Sequence, residues 1–370
     1  MLITIAIFLI VLGILVFVHE YGHFVSAKKM GMKVEEFGFG FPPAIWSKKG
    51  KDGVVYSINW IPLGGFCKIK GEDGGNHEDP ESFVSKKPWR RGVVLCAGVF
   101  MNFLLCAVLL SIGFMLGLPQ AVDQVALQKG IVKDYKIQVV SVLDDKPAKA
   151  ADVQIGDVIL GVDDQDISNG INSLIKYTTS KIGQKVTYKF VRGKEILTKE
   201  IEVADIGQGK GGIGVGLVET GIVSYPIHKA IWHGFKLTGI LTKEFVFAFG
   251  NIIKNLVIGK PVGVQVSGPV GIAVLTGQVA KLGFIYLLQF TALLSLNLAI
   301  INFIPFPALD GGRLLFLAIE KIRRKPVSQK IENAVHTIGF ALLMILIIII
   351  TFQDVMRYVN FGRIFGGFFQ

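Results

Sequence analysis

The chain opens on an almost uninterrupted apolar run, Leu2 to Val18, that ends in His19-Glu20-Tyr21-Gly22-His23. A stretch of that length and apolarity belongs in lipid, where the backbone satisfies its own polar groups only as a helix or a closed barrel. On a helix, residues i and i+4 share a face, so His19 and His23 can grip one metal ion while Glu20 reaches a water beside it. Two imidazoles and a carboxylate at membrane depth are costly unless a metal and a cavity offset them. The pattern predicts a zinc site on a membrane helix, in preference to two hydrogen-bonded core histidines.

Hydrophobic residues make up 51% of the 370, yet charged residues still reach 18% because they are concentrated between apolar runs. Four stretches approach the roughly 20 residues that a bilayer core requires: 2–24, 92–117, 284–304 and 335–352. The first has no basic leading region and no small-residue cleavage site, and is expected to be retained rather than removed as a signal peptide. A further run, 227–258, mixes Phe, Ile, Leu and Trp with Lys229, Lys236, Lys243 and Lys254, and reads as an amphipathic helix on or beside the membrane. Lys and Arg crowd 25–91 and 311–330, which assigns both loops to the cytoplasm and places both termini and the long 118–283 segment outside. The formal charge of +11 then reflects juxtamembrane anchoring on anionic lipid, with no nucleic-acid partner. Cys67, Cys96 and Cys106 form no C-x-x-C pair, so neither a disulfide framework nor a thiolate metal site is indicated.

A catalytic zinc takes three protein ligands and leaves a fourth position to water. Acids are scarce near the apolar runs, and Asp310 stands at the end of the third one, in Asn302-Phe303-Ile304-Pro305-Phe306-Pro307-Ala308-Leu309-Asp310-Gly311-Gly312. Two prolines and a glycine pair break the helix there, and broken backbone at membrane depth survives only inside protein or along a wet cavity. Asp310 is thus the expected third ligand, with a water-satisfied helix-terminal aspartate as the competing reading.

H-E-x-x-H in a first membrane helix, paired with N-x-x-P-x-P-x-L-D-G in a later one, resembles the site-2 protease family of intramembrane zinc metalloproteases, especially its bacterial regulator of sigma-E protease branch. Gly38-Phe39-Gly40, Ile61-Pro62-Leu63-Gly64-Gly65-Phe66, Ala97-Gly98 with Asn102-Phe103, and Ser267-Gly268-Pro269-Val270-Gly271 look like family segments in the same order. The likeness spans nearly the whole chain. One departure is Val99, where many relatives carry proline.

The resemblance implies Zn²⁺ held by His19, His23 and Asp310, with Glu20 as general base and acid around the water that the metal activates. It gives Asn302 a hydrogen bond to the substrate backbone or the developing oxyanion, where the competing reading is an Asn bridging spans. Alternation in Val54 to Ile61, bounded by glycines, predicts a β-hairpin. By resemblance this is a membrane re-entrant β-loop whose strand edge, at Ile58 and Gly64, pairs with an unwound substrate. The competing reading is a cytoplasmic hairpin that only packs.

The fold class expected is a polytopic α-helical membrane protein of about four transmembrane helices, with a membrane-associated β-hairpin and an α+β PDZ domain. The parts are 1–121, carrying the zinc helix, β-loop and second span; 122–205, the PDZ domain; 206–283, amphipathic; and 284–370, carrying the third ligand. The PDZ reading rests on Ile137 to Val142, then Lys146 to Asp163 with a Gly156-Asp157 turn, a second helix over Ser173 to Ser180 and a strand over Lys185 to Val191. Expected partners are membrane lipid and single-span substrates such as anti-sigma factors or remnant signal peptides, trimmed first by a site-1 type protease. The setting is the bacterial cytoplasmic membrane, with the active site toward the cytoplasm. A non-proteolytic zinc scaffold or chaperone would keep the ligands without needing Glu20, and a zinc transporter would want acidic and His residues along several spans with a path across the membrane.

The PDZ segment is read as a size filter that admits only pre-trimmed substrates, as a receptor for a newly exposed terminus, or as a purely structural domain. If it filters, deleting 122–205 lets the enzyme cut substrates that keep a folded external domain, while trimmed substrates are cut as before. Slower processing of trimmed substrate, in a variant with normal zinc and insertion, would point to the receptor.

Overall fold

The computed structural model describes residues 2–122, 132–163, 165, 170–193, 195–207, 209–260, 267–325 and 327–358. They form two compact units, Phe114–Ala230 and a second built from the chain on either side of it, Met1–Gly113 with Ile231–Gln370. In chain order the helices are α1 (Leu2–Lys29), α2 (Pro88–Leu116), α3 (Pro147–Ala150), α4 (Ile171–Thr179), α5 (Ile227–Val257), α6 (Pro269–Leu282), α7 (Phe284–Phe303), α8 (Asp310–Arg323) and α9 (Gln329–Tyr358). Among the described residues, α1, α2, α7 and α9 are long and apolar enough to cross a membrane.

In the two-part unit the spans meet through small residues and a few buried polar groups. The Ser295 hydroxyl on α7 donates to the Asn102 carbonyl on α2 at 2.9 Å. Gly234 on α5 lies against Ala107 and Ser111 of α2, and the Thr238 hydroxyl, one turn on, donates to Cys106 Sγ at 3.7 Å. The 31-residue helix with scattered lysines therefore packs alongside the second span, and its charges keep it out of the apolar set. Near the end of α9, the buried Asp354 carboxylate accepts from the Gly268 and Gly271 N–H groups at 2.9 and 2.7 Å. These N–H groups open α6, where the helix dipole favours negative charge.

Strands β1 (Val34–Lys49) and β2 (Val55–Ile69) pair antiparallel, but not as a simple hairpin. Residues 36–39 face 65–68 on one side and 55–58 on the other, while 46–49 face 55–58 as well. Both strands fold back on themselves, so four ladder segments lie side by side in the order 44–49, 55–59, 34–39 and 65–69. The expectation of an open edge at Ile58 is thereby corrected, because Ile58 pairs with both Phe39 and Trp46. The edge beside α1 is 65–69: a Cβ on Gly65 would lie 3.6 Å from both Val16 and Glu20. Gly64 stands just before it at φ +142, a conformation that L side chains rarely adopt, with the Phe41 ring filling the space of a side chain.

The Phe114–Ala230 unit is wider than the 122–205 expected from the sequence. Its strands β3 (Leu118–Ala121), β4 (Val132–Val142), β5 (Val158–Val162), β6 (Lys185–Arg192), β7 (Glu195–Glu202) and β10 (Val215–Val223) form one antiparallel sheet in the order β3-β10-β4-β5-β6-β7. A small ladder, β8 (Ala204–Asp205) with β9 (Gly211–Gly212), precedes β10. The expected 122–205 ends before β10, although this strand pairs with both β3 and β4 inside the sheet. Ile137, Ile159, Val186, Tyr188 and Phe190 are at most 2% exposed and form the core with Leu174 of α4. Burying each such side chain contributes about 1.5–3 kcal/mol.

The Gly156-Asp157 turn is pinned from outside the core. Asp157, 1% exposed, accepts the Gln154 N–H at 2.9 Å and takes two bonds from the Arg192 guanidinium, each 2.8 Å. The guanidinium holds the Asp157 carboxyl below the usual carboxylate range. A lowered folded-state value means that this stabilisation is complete above the unfolded carboxyl's value of about 3.9 and drains away as pH falls through the folded one. Asp157→Asn should cost the unit about 2 kcal/mol near neutral pH and make its acid sensitivity shallower. Hydrogen exchange across β5 and β6 in the full chain reads both effects; unchanged protection would show the pair to be idle.

Candidate metal centre

His19 and His23 lie one turn apart on the buried face of α1, 6% and 8% exposed. They reach the neighbouring span because two glycines bring the backbones together. A Cβ on Gly22 would lie 2.5 Å from the Ala97 carbonyl oxygen, and a Cβ on Gly98 would lie 2.7 and 2.8 Å from Cε1 and Nε2 of His19. Real Cβ atoms do not approach so closely. The imidazoles thus occupy the space above Gly98 of α2.

The third donor arrives on a turn. Helix α7 ends at Phe303 ahead of Pro305, and the chain folds through Ile304 to Leu309 before α8 begins at Asp310. The Phe306 N–H donates to the Ile304 carbonyl at 2.7 Å, and the Leu309 N–H to the Phe306 carbonyl at 3.2 Å. The glycine pair after Asp310 is needed for close approach, since a Cβ on either would collide with carbonyls of residues 303, 304 or 306. Asp310 occupies the first turn of α8, where a carboxylate is favoured by the helix dipole.

Three donor atoms converge there. His19 Nε2 lies 3.0 Å and His23 Nε2 3.3 Å from Asp310 Oδ2, and the two nitrogens are 3.2 Å apart. A tetrahedral zinc with bonds of about 2.0–2.1 Å spaces its ligands about 3.3 Å apart, so this triangle fits it closely. The His23 tautomer also fits: its Nδ1 lies 2.9 Å from the Val94 carbonyl, which can only accept, so the proton is on Nδ1 and the Nε2 lone pair faces the other donors. Asn102, buried on α2, places its amide 3.2 Å from His19 Nδ1.

A cleft of 220 Å³ opens beside the triangle, lined by Val16, His19, Glu20, Leu298, Asn302 and Asp310 among others. Glu20 is half-buried and faces this space. Asn302 Nδ2 comes within 3.4 Å of His19 Nε2. The sequence-predicted His19, Glu20, His23, Asp310 and Asn302 are therefore brought together, while Ile58 sits inside the β-sheet and Gly64 at its fold-back. Val99 continues α2 without a break.

One contributor had no sequence signal. His336, a lone histidine on α9, accepts the Ala308 N–H on Nδ1 at 2.9 Å. Ala308 has φ +76, unusual for a residue with a side chain, and lies two residues before Asp310. Gly339, three residues beyond His336, lets the α9 backbone press on Pro307. The last span thus braces the turn that delivers the carboxylate.

Residues 7–346 match the peptidase family M50. The chain is similar to the zinc metalloprotease RasP of Geobacillus kaustophilus, at 30% identity over 95% of this chain and 97% of that protein. It is similar also to the zinc metalloprotease RasP of Oceanobacillus iheyensis, at 29% identity over 96% and 99%. Among solved structures, the PDZ domain of the SdrC-like protein of Listeria monocytogenes is 31% identical and covers 22% of this chain and 85% of that one, with a TM-score of 0.21.

The glycine crossing makes a sharp demand. Gly98→Ala should lower zinc affinity by about tenfold or more, because the methyl displaces both imidazoles. Gly92→Ala, whose methyl would sit 3.4 Å from Leu317, should bind zinc normally. Metal content of the two purified variants decides it; equal occupancy would mean that α1 and α2 can part without cost to the site.

Proposed function

The chain belongs to peptidase family M50, and from that premise we propose how its residues divide the work of an intramembrane zinc metalloprotease. Zinc is the cofactor and the protein is a multi-pass membrane protein. His19, His23 and Asp310 hold the metal. This reading is carried by one observation, the convergence of their three donor atoms at 3.0–3.3 Å beside a cleft that also contains Glu20.

Zinc, when bound, polarises the scissile carbonyl and makes a water acidic enough to lose its proton near neutral pH. Glu20 takes that proton as the water attacks, and passes it to the amide nitrogen as the C–N bond breaks. Asn302 donates its side-chain N–H to the substrate carbonyl oxygen as negative charge builds there. The low exposure of His19 and His23 keeps bulk water away, which strengthens each of these interactions.

A peptide bond inside a transmembrane helix is shielded by its own turn, so the substrate has to be extended first. The strand edge 65–69 is suited to this, being unpaired along one side among the described residues and next to Glu20 at Gly65. Gly64 sets the fold-back that aims this edge. Substrates are then single-span proteins, such as anti-sigma factors or remnant signal peptides, first trimmed by a site-1 type protease. The basic segments 25–91 and 311–330 face the cytoplasm, which puts the Phe114–Ala230 unit outside. We read that unit as a PDZ domain that restricts access to the membrane core. A zinc scaffold would need no carboxylate facing the cleft, and Glu20 favours the protease.

One experiment tests the chemistry and the edge together. In a Glu20→Gln chain with Cys96 and Cys106 replaced by Ser, zinc should stay bound, cleavage should stop, and a cysteine scanned along the substrate's membrane segment should cross-link to the native Cys67. Moving the cysteine to Ile58 should abolish the adduct. Continued cleavage would remove Glu20 from its role, and cross-linking at Ile58 in place of Cys67 would move the substrate to the other end of the sheet.

A further inference from the structure

Val94, Gly98 and Asn102 recur every fourth residue and so share one face of α2. All three touch the histidines. The Val94 carbonyl fixes His23 through Nδ1, Gly98 makes room for both rings, and Asn102 meets Nδ1 of His19 at 3.2 Å. Asn102 is 0% exposed, and among the described residues its Oδ1 has no hydrogen-bond partner although its Nδ2 faces the imidazole. A buried amide oxygen without a donor costs about 1–3 kcal/mol.

An amide nitrogen at His19 Nδ1 conflicts with the chemistry of the donor set. An amide N–H pointing at His19 Nδ1 requires that nitrogen to be bare, which puts the imidazole proton on Nε2. Nε2 is the atom that faces His23 and Asp310 at 3.2 and 3.0 Å, and a protonated Nε2 has no lone pair for a cation. Turning the amide end for end exchanges its oxygen and nitrogen and moves no other atom. Oδ1 then accepts from Nδ1–H, the Nε2 lone pair is free, and His19 is held as the Val94 carbonyl holds His23.

We propose that Asn102 is the positioning residue for His19, its side-chain oxygen accepting the Nδ1–H and so fixing the tautomer and ring plane that bind the metal. The inference rests on the reading of His19 as a zinc ligand. It adds a residue of a different span whose effect on the metal is indirect. The Asn102 backbone carbonyl is separately engaged by Ser295, so the contact between α2 and α7 does not depend on the side chain.

The test measures zinc affinity of the full-length chain in detergent by chelator competition, independently of cleavage. Asn102→Leu keeps the volume and removes the acceptor, and should weaken zinc by roughly 10–100-fold with normal insertion. Asn102→Asp offers only acceptors when ionised, and should bind zinc at least as well as the native chain. That rescue separates acceptance from mere packing, which Leu supplies and a carboxylate does not improve. Native affinity in Asn102→Leu overturns the proposal, as does an Asp variant no better than Leu, which would mean that His19 needs a donor. If Leu fails to insert, Asn102→Ala carries the same comparison with Asp. His19→Ala runs alongside: loss of zinc there with native affinity in Asn102→Leu sinks only the positioning role, whereas native affinity in His19→Ala removes the ligand reading and this inference with it.

Discussion

Everything at the candidate metal centre depends on how closely α1 and α2 approach. Lipid offers no hydrophobic driving force between helices, so the contact rests on packing, and small residues permit it. Gly22 lets the α1 backbone meet the Ala97 carbonyl, and Gly98 gives the two imidazoles the room that a methyl would fill. With the helices this near, the Val94 carbonyl and the Asn102 amide fall within hydrogen-bond range of ring nitrogens on the other span. A wider crossing would leave two buried histidines facing lipid, a state too costly to persist.

The carboxylate side of the triangle is built by different means. No helix could turn sharply enough to present Asp310 from α7 itself. The chain breaks at Pro305 and Pro307, accepts a left-handed Ala308, and restarts a helix with two glycines packed on the turn's own carbonyls. Such a turn carries strain of order 1–3 kcal/mol at the left-handed residue and persists only when its surroundings over-determine it. His336 and Gly339 of the last span supply part of that determination.

Legibility from sequence followed the physics of each part. The four spans and the trio His19, His23 and Asp310 could be read because apolar length, i/i+4 spacing and intramembrane acids are local signals. The β-region was read only to the level of alternating residues, since Ile58 lies on a strand either way; which of its edges is covered depends on a fold-back that pairs residues 36–39 twice. In the other unit, β10 was missed because the Gly-rich approach to it, Gly207 to Gly216, reads as loop, while its pairing partners lie some eighty residues upstream. Asn102 was visible only as part of a family segment, and His336 not at all. A lone polar residue in an apolar helix has a partner that only tertiary structure reveals.

The Asp354 carboxylate bears on assembly. A polar side chain is expensive in an apolar helix until it finds partners, and here Oδ2 accepts from two N–H groups that become directed only once the first turn of α6 has formed. The last span accordingly has no settled seat before that turn exists, however apolar its remaining length. In a chain inserted from its N-terminus α6 is made before α9, so the final helix docks onto an element already in place that is too short to span on its own.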